Sequence, residues 1–311
     1  MAMRILVVGA GGVGGYFGGR LAAAGRDVTF LVRERRAELL ADQGLRVRSP
    51  FGDIDLAAPQ TVTRETLATP FELVVIGCKA YDLPGVINDV VPAVGPETAI
   101  LPLLNGMRHL DELDARFGAS RVLGGQCHIA ATLDGEGVVH HLNRTHSLTF
   151  GERDGSVSPR MRHITAMLSD AGFDARPSQR IVQDMWDKWV FLATLAGITC
   201  LMRASVGDIM AAPAGHEITL ELLDNCVAVA SEAGHAPDEP AIERTKRSLT
   251  ESGSTLTASM LRDIQRGGPI EADHIVGDMI ARAGRHRDGI PLLRVAYAHL
   301  KAYEASRVRA S

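Results

Sequence analysis

Arg4-Ile5-Leu6-Val7-Val8-Gly9-Ala10-Gly11-Gly12-Val13-Gly14 starts the chain with a short apolar, β-branched run that breaks at once into glycines. In such a loop the first glycine lets a strand turn sharply and the second leaves bare backbone for a pyrophosphate. The third lets the following helix press onto the sheet, and the amides of that helix then face the phosphates. A helix-like segment follows from Gly14 to Ala24, and a second apolar run, Val28 to Val32, arrives behind it. The N-terminus therefore reads as a βαβ unit that binds a dinucleotide through Gly9, Ala10, Gly11, Gly12, Val13 and Gly14. The plain alternative is a tight strand-to-helix turn with no ligand.

Nineteen residues beyond Gly14 stands Arg33. An NAD-binding unit places an acid there to accept hydrogen bonds from the ribose 2′-hydroxyl, whereas a cation suits a 2′-phosphate. The expected cofactor is NADP(H). A solvated surface cation beside Arg35 and Arg36 is the competing reading.

The remaining chain is long and mixed enough for two cores: 311 residues, 46% of them apolar, with a net charge of −4. No global basic field invites nucleic acid. The four cysteines, Cys78, Cys127, Cys200 and Cys226, form no paired spacing, so neither a disulfide framework nor a zinc site is expected, and the compartment reads as reducing. No charged leader precedes the first strand, and the longest apolar stretch, Trp189 to Met202, is too short for a bilayer. The expectation is a cytoplasmic protein with no membrane partner, acting on a small molecule. Apolar C-terminal helices leave a homodimer open.

Strand-like runs alternate with helical segments through about residue 150: Arg4 to Val8, Val28 to Val32, Leu73 to Cys78, Ala99 to Leu104 and Val122 to Ile129. That alternation predicts a parallel sheet covered by helices. Val138 to Leu142 with Ser147 to Phe150 suggests a late antiparallel hairpin. From Arg180 onward helical spacing dominates, in Arg180 to Met202, Pro213 to Ala233, Thr257 to Arg266, Glu271 to Gly284 and Pro291 to Glu304. The predicted class is α/β: a Rossmann-type doubly wound sheet over residues 1–178 and an all-α domain over 179–311, divided near Asp174-Ala175-Arg176-Pro177-Ser178.

Reduction of a carbonyl needs a proton donor beside the hydride source. Lys188, set among Trp189, Phe191, Leu192 and Leu195, is either a desolvated donor or a lysine snorkelling from an apolar helix. Lys79 and Asn105-Gly106 close strands, where open α/β sheets place ligands, although a surface lysine and an ordinary turn explain them equally. Glu271 follows Gly267-Gly268-Pro269 and reads best as a helix-start acid, and Ser259 as a helix-start hydroxyl. The histidines offer no metal-binding spacing, and His140-His141 would point to opposite faces of a strand.

Four patches together resemble the ketopantoate reductase (2-dehydropantoate 2-reductase) family over nearly the whole chain. They are Gly9 to Gly14 with Arg33; Cys78-Lys79-Ala80; Leu104-Asn105-Gly106-Met107; and Trp186-Asp187-Lys188 together with Ser259-Met260-Leu261-Arg262-Asp263 through Pro269-Ile270-Glu271. The resemblance implies an NADPH-dependent oxidoreductase of pantothenate biosynthesis. In it Lys188 is the general acid, Asn105 and Lys79 line the nicotinamide, and Ala130 offers backbone to the cofactor. Ser259 holds the substrate and Glu271 bonds the nicotinamide ribose. Family members that reduce ketopantoate carry asparagines four and eight residues after the lysine; here Leu192 and Ala196 stand there. Val206, Leu256 and Val276 likewise replace pocket asparagines, so the pocket is expected to be more apolar, and the substrate either ketopantoate or a more hydrophobic 2-oxo acid. The other readings of the chain are a non-catalytic NADP(H) sensor and a dehydrogenase of another hydroxy acid or opine.

Overall fold

The computed structural model describes residues 3–310. The chain forms two compact units, Met1–Leu104 with His109–Val182, and Asn105–Arg108 with Gln183–Ser311. The short segment Asn105–Arg108 thus groups with the helices that follow it much later.

In the first unit, strands β1 (Arg4–Val8), β2 (Asp27–Leu31), β5 (Gln60–Val62), β6 (Leu73–Ile76) and β7 (Ala99–Pro102) form one parallel sheet in the order β5-β2-β1-β6-β7. Strands β1, β2, β6 and β7 are mostly apolar and buried, as strands covered on both faces are, whereas the edge strand β5, Gln60-Thr61-Val62, is polar and partly exposed. Helix α1 (Gly12–Ala23) buries Tyr16, Phe17 and Leu21, which join Ile5, Val7, Phe30, Leu73, Val75 and Leu101 in one core. Helices α2 (Glu34–Gln43), α3 (Leu83–Asp89), α4 (Arg108–Phe117) and α5 (Pro159–Leu168) complete the helices before residue 180. The predicted Rossmann-type sheet is present.

Two smaller sheets were not anticipated. Strands β3 (Leu45–Arg48), β4 (Ile54–Leu56), β9 (Ala131–Leu133) and β10 (Val139–His141) form one, ordered β4-β3-β10-β9. Strands β8 (Gly124–His128), β11 (Ser147–Gly151) and β12 (Asp174–Pro177) form the other, ordered β12-β11-β8. The expected hairpin between Val138–Leu142 and Ser147–Phe150 does not form: β10 pairs with β9 and β3, and β11 with β8 and β12. The deciding turn is Asp134–Gly137. Asp134 Oδ1 accepts from the amides of Glu136 at 3.0 Å and Val138 at 2.8 Å, which folds β10 back on β9 instead. The run Val122–Ile129, expected in the parallel sheet, joins it through an isolated bridge between Val122 and Ile100 beside a bond from Leu123 N to Ile100 O at 2.9 Å, while its strand pairs antiparallel with β11. The segment read as a domain break, Asp174–Pro177, is itself a strand.

The second unit is helical: α6 (Ile181–Met202, from Gln183), α7 (Val206–Ala211), α8 (Gly215–Glu232), α9 (Glu239–Leu249), α10 (Ser259–Gln265), α11 (Asp278–Ala281) and α12 (Pro291–Ala310). Helix α6 is hydrophobic nearly all round, as a core helix must be. Its buried hydroxyls Thr194 and Thr199 donate back to the carbonyls of Val190 and Leu195, at 2.8 and 2.6 Å. The apolar stretch Trp189–Met202 is the later part of the longer helix α6, which by length and composition alone could cross a membrane; 67% of its most apolar window is buried inside the protein. Helices α7 and α9 went unread, although each has a sequence-visible cap. Ser205 and Asp208 form a capping box, and Asp238 accepts from Ala241 N at 2.9 Å. The segment predicted as one helix over Glu271–Gly284 is broken: a π-helical turn over Asp273–Gly277 leads into the short α11.

Candidate active site

Val8 is in register with Leu31 on one side and Ile76 on the other, so the segments after these strands leave the sheet along one carboxyl edge. The chain moves outward from β1 to β2 and β5, then returns to β6 on the opposite side of β1. That reversal is where doubly wound sheets bind ligands. Gly9 has φ +89°, and a Cβ on Gly14 would lie 2.0 Å from Gly9 O, so helix and strand approach as closely as the motif requires. A Cβ on Gly11 would meet nothing within 4 Å, and Gly11 caps α1 without a side-chain hydrogen bond. Bare backbone and helix amides are therefore offered where a pyrophosphate must come close, and the loop fits a dinucleotide.

Arg33 is exposed and its guanidinium lies 2.6 Å from Asp82 Oδ1. Arg36 turns inward instead, donating to Ala10 O at 3.0 Å and Gly137 O at 3.1 Å, and burial lowers its pKa from the ordinary arginine value. It braces the glycine loop. Lys79 is half-buried three residues beyond β6, at the N-cap of the turn Ala80–Asp82. Ala130 lies next to Ala131, whose carbonyl a Cβ on Gly12 would approach to 2.8 Å. Both backbone groups of Ala130 already have partners within the protein: its N–H donates to Asn143 Oδ1 at 3.0 Å and its carbonyl accepts from Leu142 N at 2.7 Å. Only the second lone pair of that carbonyl is left for a ligand.

The second unit brings Lys188 and Asn105 together: Lys188 Nζ donates to Asn105 Oδ1 at 2.9 Å. Asn105 holds this position because Gly106 turns the chain with φ +81°, and a Cβ there would lie 2.9 Å from His274 O. The next residue of α6, Trp189, is fully buried and donates from Nε1 to Ile275 O at 2.9 Å. The π-helical turn thus presents a carbonyl to the indole just beyond the lysine, a use of an irregular turn that recurs at functional sites. The turn is braced in its own unit by Tyr297 and Lys301, which bond the carboxylate of Asp273 at 2.6 and 3.0 Å. Burial pushes the Asp273 carboxyl up, but the hydrogen bonds from Tyr297 and Lys301, with the charges of Lys301 and Arg108, together outweigh it and hold the group below the usual carboxylate value.

Glu271 is half-buried and precedes that turn, its carbonyl accepting from Ile275 N at 3.0 Å. Ser259 opens α10 and is exposed. Leu192 and Ala196 follow Lys188 at the spacing that stacks side chains on one helix face, Leu192 half-buried and Ala196 buried. Val206 and Val276 are buried apolar side chains as well. The sequence reading did not single out Trp189 as an anchor, nor His274 or Asp82. Asp82 was in view, three residues beyond Lys79, but nothing in the sequence showed that it faces Arg33.

The model of the ketopantoate reductase PanE/ApbA family matches residues 5–155, and its C-terminal counterpart matches residues 180–304. The chain belongs to the ketopantoate reductase PanE/ApbA family. As a member it is an oxidoreductase with an NAD(P)(H)-binding Rossmann domain and a largely helical C-terminal part. It is 40% identical over 306 residues to the uncharacterized oxidoreductase YkpB of Bacillus subtilis, covering 98% of this chain and 100% of that protein. It is 26% identical to the 2-dehydropantoate 2-reductase of Halobacterium salinarum, over 94% of this chain and 96% of that one. Among solved structures, 2-dehydropantoate 2-reductase from Geobacter metallireducens superposes with a TM-score of 0.86 at 27% identity, over 96% of this chain and 99% of that chain.

Proposed function

We propose that this protein uses NADPH to reduce a 2-oxo acid to the 2-hydroxy acid, with ketopantoate or a more hydrophobic relative as substrate. The observation that carries the reading is the ammonium of Lys188 held by Asn105 at 2.9 Å. When bound, the reduced nicotinamide supplies the hydride. Lys188 supplies the proton: its ammonium stabilises the negative charge that develops on the 2-oxo oxygen and then transfers a proton to it. Asn105 fixes the direction in which that ammonium points. Bare backbone at Gly9 to Gly14 receives the pyrophosphate, Arg33 favours a 2′-phosphate, Lys79 and Glu271 serve the nicotinamide end, and Ser259 holds the substrate.

The apolar pair Leu192 and Ala196 selects the tail of the substrate. An aliphatic wall contributes about 1–3 kcal/mol per methylene and rejects little, whereas amides at those places would read a substrate hydroxyl strongly. Ketopantoate therefore competes here with 2-oxo acids of bulkier apolar tail. The test is NADPH oxidation with a panel of 2-oxo acids graded in tail size and polarity. Turnover that rises with apolar tail size supports the reading, and nucleotide binding with no turnover across the panel favours a sensor instead.

A further inference from the structure

Arg33 and Asp82 come from opposite sides of β1. Arg33 lies two residues beyond β2 and Asp82 six beyond β6, yet the guanidinium and the carboxylate meet at 2.6 Å at the carboxyl edge of the sheet. The side chain that follows the second strand of a Rossmann unit reads the 2′ position of the adenosine ribose: an acid accepts from a hydroxyl, a cation receives a phosphate. Here both kinds of reader stand together.

We propose that Asp82 sets this protein's choice between NADPH and NADH, holding the two closer to parity than Arg33 alone would. The inference rests on the nucleotide reading above. A 2′-phosphate brings close to two negative charges. It gains from Arg33 but must share that guanidinium with a carboxylate already on it, and it is repelled by the same carboxylate. A 2′-hydroxyl brings no charge and can donate to Asp82, the hydrogen bond an acid makes in NAD-binding units. Arg36 is not available as a direct ligand of that phosphate, because its guanidinium nitrogens are already bonded to Ala10 O and Gly137 O. Asp82 occupies the N-cap of α3 but makes no side-chain capping bond there, its carboxylate going to Arg33 instead.

The test measures nucleotide binding alone, without any oxo acid. Dissociation constants for NADPH and NADH are determined by fluorescence titration at low ionic strength, for the full chain and for Asp82→Asn, Asp82→Ser and Arg33→Gln. Removing the carboxylate charge is expected to shift the NADPH:NADH affinity ratio toward NADPH by about five- to tenfold, the scale of a close charge pair in largely aqueous surroundings. Arg33→Gln shifts the ratio the opposite way, and raised salt compresses both differences because the pair is exposed. Ratios for both Asp82 variants within about twofold of the unaltered protein, well inside the scale of such a charge effect, overturn the inference and leave the proposed reductase intact. Failure of the unaltered protein to bind either nucleotide overturns both.

Discussion

Lys188 Nζ and Asn105 Oδ1 are joined by a 2.9 Å hydrogen bond that spans 83 positions of sequence. An ammonium bonded by a neutral amide keeps its full charge and gains a fixed direction, which is what a proton donor needs. Asn105→Ala removes this bond while the lysine stays in place. Asn105→Ala is expected to lower kcat by about ten- to a hundredfold, below the loss from removing an acid outright. Steady-state kinetics with the best 2-oxo acid checks this, and unchanged kcat would show that the bond is not used.

The turn behind Asn105 has no room for a side chain. Gly106→Ala places a Cβ 2.9 Å from His274 O at φ +81°. The conformation alone costs roughly 1–2 kcal/mol, and relief of the clash must move either the π-helical turn or Asn105. Both stability in urea and kcat should fall. Trp189→Phe removes the indole donor to Ile275 O together with part of a fully buried ring, and is expected to cost roughly 1–3 kcal/mol or more for the lost bond and the cavity together. If its kcat falls further than its stability explains, the indole positions the lysine as well as the fold.

Under the proposed function, substrate selection follows from the α6 face. Leu192→Asn with Ala196→Asn is expected to raise kcat/KM for ketopantoate by about tenfold or more, since hydrogen-bonding sites discriminate far more strongly than apolar walls. Enlarging buried Ala196 costs about 1–3 kcal/mol, so a melting curve accompanies the kinetics. A folded double variant with no gain on ketopantoate would count against the pocket reading.

Much of this was legible in the sequence. The glycine loop, Arg33 and the β-rich first half predict the nucleotide sheet because each uses a local rule: a turn, a charge, a period. Lys188 and Asn105 were both singled out, but their bond joins distant segments and no periodicity reports such a pairing. The pairing of β10 was misread for a similar reason. Apolar alternation marks a strand without naming its neighbour, and here the Asp134–Gly137 turn chose β9. The π-helical turn after Glu271 was invisible, since the contacts made to it, from Trp189 and from Tyr297 and Lys301 of α12, come from distant segments.

One pH effect belongs to the first unit. His146 is stacked on Phe51 at 3.8 Å, its Nδ1 is 2.7 Å from Tyr16 OH, and it faces His141 and Arg20, with Asp174 as the nearby acid. Burial first, then the His141 and Arg20 charges, lowers its pKa below 6.5, and Asp174 only partly offsets them. The unfolded chain therefore takes up this proton before the folded one does. The stability tied to neutral His146 is complete above about pH 6.5 and is lost as pH falls through the depressed folded value. Urea midpoints for the unaltered protein and His146→Gln should converge between pH 7.5 and pH 5; a constant gap would contradict this.

The central claim is that Lys188 delivers the proton in an NADPH-dependent reduction. Its most direct test is single-turnover oxidation of bound NADPH by a 2-oxo acid, with identification of the 2-hydroxy acid formed, in the unaltered protein and in Lys188→Ala. Expected are product from the former, a rate about a hundred- to ten-thousandfold lower in the latter, and the same NADPH affinity in both. A Lys188→Ala rate within a few-fold of the unaltered protein would contradict the claim.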